Sequence, residues 1–298
     1  MKSQSKSSRV VWFGVLLLAS FILAWRPLLG TFKIAFTNDE YTQILLIIPI
    51  SLAFIYMDWE AVRNMARQGG AFGAVLLTTA ALIAGASLLF RSRLTSDIRL
   101  ALDIFALVTW WIGSFVFCFG TSVSKRLMFA LGFLYWLVPL PAIILNQIIG
   151  YLQQGSAVAS RVLFESAGIP LTQDGLQLTI PGLTVQIAKE CSSIRSSLML
   201  VVTTMVLAYL LLRSPWRRLL VIAISLPLSV AKNGLRIFTI AMLGTRVDPG
   251  YLNGRFHHQG GIVFFAISLL IIFVILWVLQ RGEKPTIESR SLKAALPC

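Results

Sequence analysis

The sequence predicts an all-α polytopic membrane protein: a bundle of about eight transmembrane helices carrying a small extracytoplasmic cap, an amphipathic helix plus a β-hairpin. Three observations predict it. Of the 298 residues, 57% are hydrophobic and only 13% charged, against about 25% charged in a soluble domain. The mean hydropathy is +0.80, and the apolar residues fall in runs close to the ~20 residues that cross a bilayer. The basic residues, which set a net charge of +14, sit in short connections between those runs. That distribution is topogenic rather than a basic binding face, and it excludes nucleic acid as the expected partner.

The runs lie near 10–25, 41–57, 71–90, 98–119, 127–148, 191–212, 218–243 and 259–280. Arg26-Pro27 follows the first run where a cleaved leader would carry small residues, so this run reads as an uncleaved span behind Lys2, Lys6 and Arg9. Pro139 and Pro141 in the fifth run and Pro227 in the seventh are expected to kink their helices. Arg63 and Arg67, Lys125 and Arg126, and the Arg213–Arg218 connection fall on one side with the N-terminus and the 281–298 tail. The positive-inside rule makes that side cytoplasmic, although Arg91, Arg93 and Arg99 cluster in an outer connection. The chain is thus expected in the inner (cytoplasmic) membrane as one integral domain.

The longest connection, 149–189, lies outside in this scheme. Leu152, Val158, Val162 and Leu163 recur at helical spacing among Gln153, Gln154, Arg161 and Glu165, the pattern of an amphipathic helix lying on the membrane. Leu176–Ile180 and Leu183–Ile187 then alternate apolar and polar on either side of Pro181-Gly182, a hairpin signal. This cap either covers the bundle or offers a peptide-docking edge above the polar cluster that follows.

That cluster is Glu190-Cys191-Ser192-Ser193-Ile194-Arg195-Ser196-Ser197, a thiol, an arginine and four hydroxyls heading an apolar run. Ionisable residues at membrane depth are costly and mark functional sites. Lys232-Asn233-Gly234-Leu235-Arg236 and Phe256-His257-His258-Gln259-Gly260-Gly261 answer it in the next two runs. Counting outward from Pro215, Cys191 is 24 residues back and Arg236 is 21 forward, which puts them within about 5 Å in depth at 1.5 Å per residue. His257 and His258 open the eighth span on the same outer side. Helix start and Arg195 both favour a Cys191 thiolate. Cys118, in an apolar run, reads as inert packing and Cys298 ends the chain, so no disulfide framework is expected. The rival for Arg236 is snorkelling to headgroups. No metal-ligand spacing accompanies the histidines, and no cofactor is expected.

At these residues the sequence resembles the exosortase/archaeosortase family of integral-membrane transpeptidases. Glu190-Cys191-Ser192-Ser193-Ile194-Arg195 is similar to its Cys-Ser-Gly-Leu/Ile-Arg segment, Asn233-Gly234-Leu235-Arg236 to its Asn-x-x-Arg, and His257-His258-Gln259-Gly260-Gly261 to its His-x-x-x-Gly. Ser193 departs from the usual glycine. The likeness runs over roughly 137–279. It implies a Cys191–Arg236–His257 site, supported by Arg195, Asn233, Ser192 and His258, that cuts Pro-Glu-Pro-type sorting signals. The implied partners are exported proteins with a C-terminal signal and transmembrane helix, membrane lipids around the bundle, and an unidentified acceptor nucleophile. A thiol-dependent lipid or acyl-transfer enzyme and a transporter are the rival classes. The transporter predicts a cation-lined path and repeat symmetry, which the sequence does not display.

Overall fold

The computed structural model describes residues 2–59, 71–187, 194–253 and 255–283, with backbone alone at 2–7, 253 and 255–260. Seven of the described helices are long and apolar enough to cross a membrane, or eight if Met128–Leu137 and Ala142–Ser166 form one broken span. The chain is a multi-pass, all-α membrane protein with one small sheet. It divides into two compact units, 1–146 and 147–298.

The first unit holds α1 (Lys2–Thr37), α2 (Ile44–Met57), α3 (Ala71–Leu89), α4 (Ser96–Phe119), α5 (Thr121–Arg126) and α6 (Met128–Phe133). α1 runs on past Trp25, bending at Ala24. Pro27 lacks the N–H that would bond back to residue 23, so the ladder opens there. α4 is the buried strut: Ile104, Val108 and Phe115 are closed off, and Trp111 Nε1 donates to Ser20 Oγ of α1 at 2.9 Å. Gly73 of α3 lets α4 approach to contact, since a Cβ there would lie 2.5 Å from the Phe117 nitrogen. The expected fifth span breaks after a 3₁₀ turn at Leu134–Leu137 and restarts as α7, Ala142–Ser166. Pro139 and Pro141 stand in that break, whereas Pro227 sits inside an unbroken helix.

The second unit begins within α7 and continues with β1 (Thr172–Asp174), β2 (Gln177–Ile180), β3 (Leu183–Gln186), α8 (Ile194–Leu211), α9 (Pro215–Arg246), α10 (Gly250–Asn253) and α11 (Arg255–Arg281). Gly168, at φ +70°, ends α7: Ile169 N–H reaches back to Phe164 O and Gly168 N–H to Glu165 O, each 3.0 Å. This double closure satisfies the last carbonyls of the helix. The three strands form an antiparallel meander in the order β1-β2-β3. Gly182, at φ +81°, supplies the left-handed residue of the two-residue Pro181-Gly182 loop. Leu178, Ile180 and Ile187 point inward onto Ala157 and Phe164 of α7 and Ile237 and Ala241 of α9.

α8 and α9 form an antiparallel hairpin, and α11 packs on both through Leu200, Ala208, Val221, Ile272 and Leu276. The turn is bolted at its tip. Glu283 accepts the Arg213 and Ser214 N–H groups at 2.9 Å each, while Arg217 donates to Leu279 O and Gly282 O at the end of α11. Arg218 donates to Leu212 O at 2.8 Å. These arginines close the terminal carbonyls of neighbouring helices, a task their topogenic spacing does not reveal.

Candidate functional site

Three consecutive residues of α9 reach two neighbouring helices. Lys232 Nζ donates to Ser196 Oγ of α8 at 2.5 Å, and Asn233 Nδ2 donates to Ser156 Oγ of α7 at 2.9 Å. Adjacent helical residues lie about 100° apart, so one step of sequence turns the polar contact from one neighbour to the next. Gly234 then allows α7 to press close: a Cβ there would stand 2.5 Å from Ala159 Cβ and 3.0 Å from the Ser160 nitrogen. Gly155 of α7 faces Val230 of α9 with a comparable gap of 2.9 Å. Ser160 Oγ closes the contact, donating to Ser156 O at 2.7 Å and approaching Gly234 O at 3.3 Å. Small residues on facing stripes with hydroxyls bonding across them are how helices associate in lipid, where apolar burial alone gives little drive.

The buried face of α7 comprises Gln153, Ser156, Ala157, Ser160 and Phe164, and the apolar ridge at Val158 and Val162 is exposed. One polar stripe of this helix, Gln153-Ser156-Ser160, is therefore packed, while Gln154, Arg161 and Glu165 stay exposed. Gln153 Nε2 donates to Ile187 O at 2.8 Å, pinning the end of the sheet to α7. The amphipathic pattern put Gln153 on the wet side and gave Ser156 and Ser160 no part. Their signal is the spacing of three and four between small or amide side chains in a helical stretch.

Of the residues singled out from sequence, Asn233 is buried and Arg236 half-buried, one turn beyond Lys232 on α9. Arg195 is exposed in the first turn of α8. Cys191 and Ser192 lie outside the described residues. Position 257 is the third residue of α11 and position 258 the fourth, with backbone alone described at both. The segment containing Cys191 is bracketed by two buried anchors, Ile187 and Ile194. Ile187 shares a core with Leu178, Ala157 and Ile237, the residue next to Arg236.

The described geometry thus brings α7 and α8 to α9 at Lys232-Asn233-Gly234, with the sheet packed on α9 further along at Ile237 and Ala241. The family model described as Transmembrane exosortase matches residues 35–274, well over half of the chain. No curated protein and no solved structure matches it.

Proposed function

The chain belongs to the transmembrane exosortase family, and from that premise we propose that it is a cysteine transpeptidase or endopeptidase of the inner (cytoplasmic) membrane. It cleaves C-terminal, Pro-Glu-Pro-type sorting signals of exported proteins on the extracytoplasmic side. Cys191 Sγ, as thiolate, attacks the scissile carbonyl carbon. Arg236 stabilises the oxyanion, and His257 protonates the leaving amine as the C–N bond breaks. The resulting thioester is resolved by an acceptor amine or water, whose proton returns to His257 as the thiolate departs.

The observation that carries this reading is the Lys232–Ser196 bond. It sets the register of the α8–α9 hairpin. Counting five residues outward from each partner reaches 191 on one side and 237 on the other, beside Arg236. Ile187, four residues before Cys191, packs in the cluster that contains Ile237, and Ser196, five residues after it, accepts from Lys232, so each flank of the thiol segment meets α9. Position 257 is seven residues from Phe264 and eleven from Ser268, both buried on α11. At 100° per residue those three positions share a face, and 258 lies to one side of it.

The test is reconstitution of the full chain in liposomes with an exported protein ending in a Pro-Glu-Pro motif, an apolar helix and a basic tail. Wild type should release the tail, and hydroxylamine should free the upstream fragment from the enzyme as a hydroxamate. Cys191→Ala should leave the substrate uncut. Full cleavage without Cys191 would remove the cysteine mechanism, and hydroxylamine release of an acyl chain in place of a peptide would make the chain a lipid-directed enzyme.

A further inference from the structure

β3 is an edge strand: it pairs with β2 from Ile180↔Leu183 to Gln177↔Gln186 and with no other strand among the described residues. One step beyond the ladder, Ile187 N–H donates to Leu176 O at 3.0 Å in the same register. In an antiparallel pair, residues that exchange bonds alternate with residues whose N–H and C=O point the other way. Counting back from Ile187, Val185 and Leu183 bond to β2, and Thr184 and Gln186 direct their backbone groups to the open side. The 3.5 Å approach of the Thr179 and Thr184 hydroxyls agrees, since side chains come closest at non-bonded pairs. Thr184 and Gln186 are both exposed, and no described residue bonds to their outward N–H or C=O.

Proteins ordinarily protect such an edge with charge, proline or brevity. β1, the opposite edge, is three residues long and carries Asp174. β3, longer by one residue, carries neither charge nor proline along Leu183–Gln186. Its inner face is held rigidly, with Ile187 buried in the core and its carbonyl fixed by Gln153. From this edge the chain runs directly into 188–193, where Cys191 stands.

We propose that the open edge of β3 is the substrate-docking strand: an extended peptide segment adds to it as a fourth strand, bonding through its backbone to the N–H and C=O groups of Thr184 and Gln186. This rests on the peptidase reading above. Donors and acceptors repeating every second residue, about 6.6 Å apart, match an extended polypeptide and not a lipid headgroup, and backbone pairing supplies affinity without demanding one side-chain sequence. The docked strand thereby lies on the strand that directly precedes the 188–193 segment in sequence.

The experiment uses the full chain in nanodiscs and a synthetic peptide carrying the Pro-Glu-Pro motif and its apolar helix, N-methylated at one non-proline residue at a time. Methylation at alternate positions should raise KM about tenfold, the loss expected for one or two backbone bonds, with intervening positions unaffected. Gln186→Pro, which removes an outward N–H, should raise KM with little change in kcat, and Gln173→Pro, the same change on the β1 edge, should leave both unchanged. If Gln186→Pro fails to fold, the methylation scan decides alone. A flat scan on a peptide that wild type cleaves overturns the docking strand and leaves the peptidase reading standing. Failure of wild type to cut the unmodified peptide removes both.

Discussion

Lys232 Nζ lies 2.5 Å from Ser196 Oγ, and Lys232 is the only charged side chain among the described residues that is buried. An ammonium withdrawn from water is costly unless its donors are taken up, so the two partners are not equivalent. Removing the hydroxyl strands a charge, whereas removing the ammonium also removes its desolvation cost. Ser196→Ala should therefore lower stability by about 1.5–3 kcal/mol, the usual worth of a bond to a charged group. Lys232→Met, with an unbranched stem and no charge, should be nearly neutral. Thermal unfolding in nanodiscs checks the order. A larger loss for Lys232→Met would show that the ammonium holds more than Ser196.

Gly234 lets α7 and α9 press into contact, since a methyl on its Cα would lie 2.5 Å from Ala159 Cβ. Gly234→Ala should force the helices apart, weaken the Asn233–Ser156 bond and cost about 1–3 kcal/mol, as overpacking does. Because the nearest obstruction is itself a methyl, Ala159→Gly in the same chain should recover part of that loss. A double variant no more stable than Gly234→Ala would place the obstruction at the Ser160 backbone instead.

What the sequence made legible follows from how each signal is encoded. Long apolar runs define spans by length alone, so α1 to α4, α8, α9 and α11 were visible, whereas the four-residue α10 is too short to show as a run. The Pro181-Gly182 hairpin was visible because alternation flanks a residue that must take positive φ. β1 was not, since Thr172–Asp174 is polar throughout and too short to alternate. The inner face of α7 was obscured for a different reason: its small and polar residues pack inward, so Gln153 looked solvated, and Ser156 and Ser160 carried no apolar signal at all. At the site, Asn233 and Gly234 were legible as a motif, but that they grip α7, while Lys232 grips α8, depends on helix register and neighbours.

Glu283 gives the second unit a pH-dependent clasp. Partial burial pushes its carboxyl up, but the Ser214 and Arg213 N–H donors and the Arg217 and Arg213 charges outweigh that and hold it below the usual carboxylate range. A carboxyl whose folded value is depressed stabilises the fold at pH above its unfolded value, about 4.3, and loses that contribution as pH falls through the folded value. Wild type should thus be more stable than Glu283→Gln at pH 7, and the gap should close below pH ~4. Melting curves across pH 3–7 read it. A gap independent of pH would mean that Glu283 acts through shape alone.

Position 257 shares a face with the nearer buried residues Phe264 and Ser268, whereas position 258 lines up with Leu276, five turns further along. His257→Ala should therefore abolish cleavage, by the 10²–10⁴-fold typical of a lost general acid–base, and His258→Ala should retain most of it. The two variants should accumulate equally in the membrane. Loss confined to His258→Ala would reverse the assignment.

Arg236 is half-buried one helical turn beyond Lys232, which makes it a test of what kind of cation the site needs. If its task were to anchor α9 at the headgroups, or to supply positive charge, a lysine would serve. If it stabilises the oxyanion, the requirement is for planar donors aimed at one oxygen, which an ammonium on a shorter stem does not reproduce. Arg236→Lys should then lower kcat by about 10²–10³, the cost of removing one oxyanion donor, while KM and membrane accumulation stay near wild type. The separation of kcat from KM is what distinguishes the roles, because an anchor would alter stability and a substrate-binding charge would alter KM. Near-normal kcat in the lysine variant would assign Arg236 to charge or anchoring and leave the oxyanion to other donors.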